Sequence, residues 1–177
     1  MTNKKPILVI DARPLARGSG GIQRYVQKLL PHLIATSHYK IILYSDRPIV
    51  DMELSKNVNV RFIGRNILTN LLWYIKVPLW LKKDKVNIFW SPRHHLPLLV
   101  PKGCKKIVTI HDFVWKTCPT TMPKLQLASE MILMPLSLKN TTRIICISKS
   151  THSQLKHFFR DHANKSTVIL HLSLIHI

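Results

Sequence analysis

The chain has 177 residues, 46% of them hydrophobic, which is enough for one globular domain with a sizeable core. Its 27 lysines and arginines outnumber eight acidic residues, and the formal net charge of +19 predicts a polyanionic partner: nucleic acid, an anionic membrane or a phosphorylated substrate. No apolar run approaches the ~18 residues of a membrane span, and three scattered cysteines predict neither a disulfide framework nor a zinc site. We therefore expect a cytoplasmic protein.

Apolar runs of strand length alternate along the chain with longer segments of helical periodicity. Runs such as ILVI and RIICI are continuously apolar, which is typical of strands buried on both faces of a parallel sheet. We predict strands at 7–11, 40–44, 58–63, 86–90, 107–111, 143–147 and 167–170. We predict helices at 22–36, 67–83, 123–139 and 149–159. This alternation predicts an α/β fold with a single Rossmann-like, doubly wound parallel sheet.

The stretch GSGGIQRY, residues 18–25, joins the first strand to the first long helix and holds three of the five glycines. Glycines there permit a positive φ, which we expect at Gly21, and they let an anion approach the helix N-terminus closely. Arg13, Arg17 and Arg24 flank the loop, so an anion site and a strained turn are equally well supported. The P-loop and the dinucleotide fingerprint do not fit, because the Gly-Lys-Ser/Thr ending and the third glycine are missing.

Polar residues gather after the strands, where doubly wound sheets bind their ligands. His111 and Asp112 follow a buried-type strand, and a histidine there can contact a sugar or phosphate or transfer a proton. The alternative is a structural histidine bonded to a loop carbonyl. The run Arg93–His94–His95 is equally open to an anion contact or a solvated loop. We predict no metal centre, because no carboxylate or cysteine stands at ligand spacing from these histidines.

Two further segments carry local expectations. Ser148 or Ser150 can cap the helix that begins near residue 149. Residues 67–85 are rich in Leu, Trp and Lys; we predict a crossover helix packed on the sheet, kinked or restarted at Pro78, with a membrane-interface helix as the alternative.

Four blocks together resemble the N-terminal half of group 1 glycosyltransferases of the GT-B fold, with the mannosyltransferase-like branch most similar in pattern. They are VIDARPLARGSGGIQRYVQKLLPHL, FWSPRHHLPLLVP, VTIHDFVWKTCP and IICISKSTHSQLKHFF. The resemblance implies a Rossmann-like acceptor-side domain over residues 1–165. Residues 166–177 would then begin the connection to a second domain, although the tail LHLSLIHI lacks the expected turn and is interpreted as foreign to the fold.

The resemblance also implies a metal-independent transfer, with retention of configuration, from a nucleotide-sugar donor to a glycan or lipid-linked acceptor. By position it assigns donor binding to Gly20 and Gly21, acceptor binding to Arg24, Tyr25, Arg93 and His94, and catalysis to His111 and Asp112.

One feature of this family is absent from the sequence. The Glu-x7-Glu segment of the second domain has no counterpart, because the two glutamates, Glu53 and Glu130, lie far apart. We therefore expect a fragment that is inactive alone, with no cofactor and peripheral contact with an anionic membrane. The alternative is a non-catalytic basic module that binds anionic lipid or nucleic acid, of which nucleic acid is the less expected.

Overall fold

The structure is a computed structural model that describes residues 5–18, 20–49, 58–64 and 69–171. The chain divides into two compact units, one formed by residues 1–92 and 97–105 and the other by residues 93–96 and 106–177. The predicted foreign tail lies mostly at 172–177, outside the described residues.

The first unit is a parallel sheet with three described helices. Its strands are β1 (Ile7–Asp11), β2 (Lys40–Ser45), β3 (Asn59–Phe62) and β4 (Ile88–Ser91), and its helices are α1 (Arg13–Arg17), α2 (Gly20–Thr36) and α3 (Thr69–Lys83). The spatial order is β3-β2-β1-β4. Val9 of β1 pairs with Ile42 on one side and with Phe89 on the other, so β1 is central and buried.

The connections of this unit make the sheet doubly wound. The chain moves outward from β1 to β2 and β3, and α3 then returns it to β4 on the other side of β1. Because such crossovers are right-handed, α2 and α3 cover opposite faces of the sheet. The strand order therefore reverses between β1 and β4, which is where this fold class binds ligands.

Helix α3 packs as the predicted crossover helix. Trp73, Val77 and Leu81 recur every four residues, and each is no more than 1% exposed, so one face of the helix is buried. Pro78 lies within the continuous helix and does not divide it. Residues 67 and 68 of the predicted segment fall outside the described part of the chain. Among the described helices, none is both long enough and apolar enough to cross a membrane.

The second unit has its own parallel strands, in the order β5-β6-β7. Its elements are β5 (Lys105–Ile110), α4 (Val114–Thr117), α5 (Lys124–Asn140), β6 (Arg143–Cys146), α6 (Lys149–Phe158) and β7 (Ser166–Val168), with 3₁₀ turns at Pro119–Thr121 and Arg160–Lys165. Val108, Ile110 and Ile144 of the strands are buried, as are Met134 and Leu138 of α5.

The predicted fold class is confirmed: the protein is α/β, Rossmann-like, and its described strand pairings are parallel. Among the described residues every predicted strand and helix is present, and each end lies within two residues of its predicted position, except that residues 67 and 68, the predicted start of α3, are not described. The short helices α1 and α4 were not predicted.

Candidate functional site

The glycine loop connects β1 to α2 through the one-turn helix α1. Gly18 ends α1 with φ +64°, and Gly20 opens α2 with φ +55°. Both glycines are in the left-handed region of backbone conformation, which residues other than glycine rarely adopt. The expectation of a positive φ at Gly21 is wrong, because Gly21 already has the conformation of the helix.

The N-terminus of α2 is open to an approaching ligand. The first N–H groups of a helix have no partner within it, and here Gly20 and Gly21 are exposed. No acidic residue stands in the first turn to offset the positive end of the dipole. A Cβ added at Gly21 would meet no atom within 4 Å, so the space beside this backbone is open. The arrangement suits a diphosphate or another anion.

Two of the three arginines that flank the loop are held in ion pairs. Arg13 is buried, and its Nε and Nη2 donate to Asp11 Oδ1 and Oδ2 at 2.9 and 2.6 Å. Burial alone would lower the pKa of Arg13, but the Asp11 carboxylate outweighs burial and raises it. Arg17 donates to Asp46 at 2.6 and 2.8 Å. Arg24 is exposed, so it is the flanking arginine that is placed to meet a ligand.

Tyr25 fixes the first turns of α2 against the end of β4. Its ring meets Trp90 edge to face, with centroids 6.0 Å apart and planes at 88°. Trp90 belongs to β4, the strand beside β1, and is 5% exposed. The loop, Arg24 and Tyr25 therefore lie where the strand order reverses.

His111 and Asp112 follow β5 in the second unit. His111 is half-buried, its ring lies 5.5 Å from that of His171, and its carbonyl accepts a hydrogen bond from Thr151 Oγ1 at 3.1 Å. Asp112 is exposed, and its Oδ1 accepts the Val114 N–H at 3.1 Å, which fixes the start of α4. Thr151 belongs to the first turn of α6, so its hydrogen bond ties the end of β5 to that helix.

Ser148 confirms the predicted cap of α6. Its Oγ accepts the Thr151 N–H at 3.0 Å, which satisfies one of the unpaired donors of the first turn. Ser150, the other candidate, lies within the helix.

A carboxylate joins the two histidines that follow β4. Glu130 lies in the middle of α5, and its Oε1 and Oε2 lie 3.0 and 2.9 Å from the Nε2 atoms of His94 and His95. No carboxylate stands near these histidines in the sequence, but the fold brings one from 35 and 36 positions away. The expected absence of a metal centre stays a prediction.

Hydrogen bonds set the charge of this cluster. Burial alone would raise the pKa of Glu130, but hydrogen bonds from His94 and His95 outweigh it and lower the pKa to about 2. Burial lowers the pKa of His95 below its usual value, although Glu130 opposes this. Near neutral pH the cluster is therefore a carboxylate with a neutral His95.

The chain segment that carries these histidines is held along α5 at a second point. Leu96 N–H donates to Ser137 Oγ at 2.8 Å, two helical turns beyond Glu130. His94 is thus directed at Glu130, while Arg93 is half-buried beside it. Sequence reasoning missed Glu130 as a site residue. Its signal was a lone carboxylate in the otherwise uncharged segment QLASEMILMPLSL.

The first unit also holds a cavity of about 820 Å³ at the amino ends of β1 and β2, the end of these strands opposite to the glycine loop. Its lining includes Lys5, Lys40, Lys83 and Lys85 but no glycine or histidine. Ligands of doubly wound sheets bind at the carboxyl ends of the strands, so we place the candidate site at the glycine loop instead.

Comparisons with known proteins identify the family and the fold. The model of Glycosyltransferase Family 4 matches residues 19–171. A search of curated proteins finds no match. Sucrose-phosphate synthase from Thermosynechococcus elongatus superposes with a TM-score of 0.66 at 17% identity, over 94% of this chain and 48% of that one.

Two other solved structures share the fold. A second structure of the Thermosynechococcus synthase gives a TM-score of 0.55 at 14% identity, covering 96% of this chain and 90% of that one. A glycosyltransferase from Rickettsia africae ESF-5 gives 0.51 at 19% identity, covering 95% of this chain and 43% of that one. This chain therefore spans about half the length of the first synthase structure and of the Rickettsia enzyme.

Proposed function

Because the chain belongs to glycosyltransferase family 4, we propose that it is the acceptor-side half of a retaining, mannosyl- or other hexosyl-transferring enzyme of the GT-B fold. Its substrates would be a nucleotide-sugar donor and a glycan or lipid-linked acceptor, as in polysaccharide biosynthesis in the cytoplasm. The observation that carries the proposal is the exposed glycine loop opening α2 where the strand order reverses.

The donor diphosphate would meet the backbone at Gly20 and Gly21. The unpaired N–H groups and the positive end of the α2 dipole favour an anion there. During transfer the bond from the sugar C1 to the diphosphate oxygen breaks and negative charge grows on the diphosphate. Fixed dipoles directed at that charge stabilise the transition state more than the ground state. The chain would thus assist departure of the leaving group.

Within the first unit, the acceptor would lie beside Arg24 and Tyr25; an acceptor contact by Arg93 of the second unit is proposed from the resemblance alone. Its hydroxyl oxygen bonds to the sugar C1, and its proton leaves with the departing diphosphate in the overall reaction. Tyr25 is half-buried against Trp90, so it offers a fixed ring edge, while exposed Arg24 offers a charge. We do not extend this role to His94, because its Nε2 is directed at Glu130.

His111 would contact the transferred sugar, with Asp112 supporting it. Asp112 fixes the start of α4 through the Val114 N–H, and Thr151 holds the His111 carbonyl. The histidine backbone is therefore held from two sides. A hydrogen bond from its ring to a sugar hydroxyl would gain strength as charge develops at C1.

The test is sugar transfer by the longest reading frame that contains this chain, comparing His111→Ala with His38→Ala, a control at an exposed histidine. We expect His111→Ala to lower kcat by on the order of 10²-fold with an unchanged melting temperature. The control should retain its activity. Near-normal turnover in His111→Ala would refute its catalytic role, and a collapsed melting temperature would make it a structural histidine.

A non-catalytic basic module is the second candidate, favoured by the net charge of +19. Tight, salt-sensitive binding to anionic vesicles or DNA, with no transfer from any nucleotide-sugar by the longest reading frame, would favour it over the enzyme.

A further inference from the structure

His94, His95 and Glu130 form a compact set of metal-ligating side chains within the second unit. One ligand atom from each lies within 4.8 Å of the other two. The three side chains are 14%, 10% and 7% exposed, so the donors are largely shielded from water. The proposed sugar transfer gives this cluster no role, since the acceptor contact that the resemblance implied for His94 is not carried over.

The distances from the glutamate to the two histidines are close to what one metal ion needs. Ligand atoms about 2.1 Å from a tetrahedral Zn²⁺ stand roughly 3.4 Å apart. The Nε2 atoms lie 2.9 and 3.0 Å from the glutamate oxygens, so an ion requires each pair to separate by only about half an ångström. The two imidazole rings meet at 85° with centroids 4.7 Å apart, and both direct Nε2 at the same carboxylate.

The chemistry of the donors selects the metal. Two imidazoles and one carboxylate suit Zn²⁺ and its first-row neighbours, whereas Mg²⁺ and Ca²⁺ prefer sets of oxygen atoms. The ionised Glu130 supplies the negative charge that a divalent ion requires. His94 Nδ1 is buried with no hydrogen-bond partner among the described residues. Since such a partner normally strengthens a metal-bound histidine, we expect moderate rather than extreme affinity.

We propose that His94, His95 and Glu130 bind one Zn²⁺-class ion, which joins the segment after β4 to α5. Water would complete the coordination. The Leu96–Ser137 hydrogen bond already holds this segment two turns further along α5, so the ligands are positioned before the ion arrives. The role assigned to the ion is structural and independent of sugar transfer.

The rival interpretation is that the two Nε2–H groups simply donate to Glu130 and no ion binds. Isothermal titration calorimetry of the purified chain with ZnCl₂ distinguishes the two interpretations. MgCl₂ is titrated for comparison, because Mg²⁺ prefers oxygen ligands. We expect one Zn²⁺ per chain, a higher melting temperature with Zn²⁺, and no response to Mg²⁺. Titration without a saturable site of unit stoichiometry would overturn the proposal.

Variants locate the site among the ten histidines of the chain. Glu130→Gln and His95→Gln should each weaken Zn²⁺ binding by more than about 100-fold, because losing a ligand costs more than losing an outer-shell partner. His38→Gln, at an exposed histidine, should leave the affinity unchanged. Equal affinity in all three variants would overturn the assignment.

Circular dichroism checks that each variant folds. X-ray absorption at the zinc edge identifies the ligand atoms in the unmodified, zinc-loaded chain, so it needs no variant. Scattering from two imidazoles is the expected result, and a shell of oxygen atoms alone would overturn the proposal.

Discussion

Asp11→Asn tests the buried ion pair at the base of the glycine loop. Asp11 is fully buried and Arg13 is 6% exposed, and the guanidinium also lies over the Trp73 ring with its Cζ 4.0 Å from the centroid. Asparagine keeps the shape of the side chain and the oxygen that accepts the backbone N–H of Arg13 at 3.2 Å. The substitution therefore removes the negative charge and leaves a buried cation without its counter-charge.

The expected cost follows from that burial. Breaking a buried pair by removing one partner costs about 3–5 kcal/mol, because the remaining charge stays desolvated. A domain is stable by only about 5–15 kcal/mol, so the loss is a large share of the total. For a chain of this size each kcal/mol corresponds to roughly 2–4 °C, which gives a fall in melting temperature of about 6–20 °C.

Urea unfolding at pH 7, followed by circular dichroism, measures this loss. Asp161→Asn, at an exposed carboxylate, is the matched control and should change the free energy of unfolding by less than about 0.5 kcal/mol. The double variant Asp11→Asn/Arg13→Met removes both charges and keeps an apolar chain against Trp73, so it should recover about 2 kcal/mol or more. A cost below about 1 kcal/mol for Asp11→Asn, or no recovery in the double variant, would refute the reasoning.

Two further predictions concern the loop and the thiols. Gly20→Ala should lower the free energy of unfolding by about 1 kcal/mol, because φ is positive at Gly20, whereas Gly21→Ala should not lower it. Urea titration measures both free energies, and equal losses in the two variants would contradict the assignment of φ. Exposed Cys118 should react with iodoacetamide well before Cys146, because burial raises the pKa of the Cys146 thiol to about 11 and keeps it protonated. Mass spectrometry of the native chain across pH 7–10 follows both thiols, and comparable early labelling of Cys146 would show that its strand is not buried.

The local pattern of apolar and polar residues was enough to predict the long strands and helices. The continuous apolar run ILVI specified β1, whose predicted bounds coincide with those observed, because a strand buried on both faces leaves no polar position. The alternation of strands and helices likewise predicted that α3 is a crossover helix packed on the sheet, and the structure places Trp73, Val77 and Leu81 on its buried face. The site residues named from resemblance remain predictions.

The sequence by itself determined the α/β class, the bounds of the long strands and helices, and the position of the glycine loop, since each depends on residues that are neighbours in the chain. Only the tertiary structure decided which charges meet. Arg17 pairs with Asp46, and Glu130 pairs with two histidines 35 and 36 positions away. The local sequence pattern does not predict such partners, because the free energy of a buried charge depends on which groups the fold packs against it. Arg13 and Asp11 are only two positions apart, but it is their burial in the fold that commits Arg13, which appeared available for an anion, to Asp11.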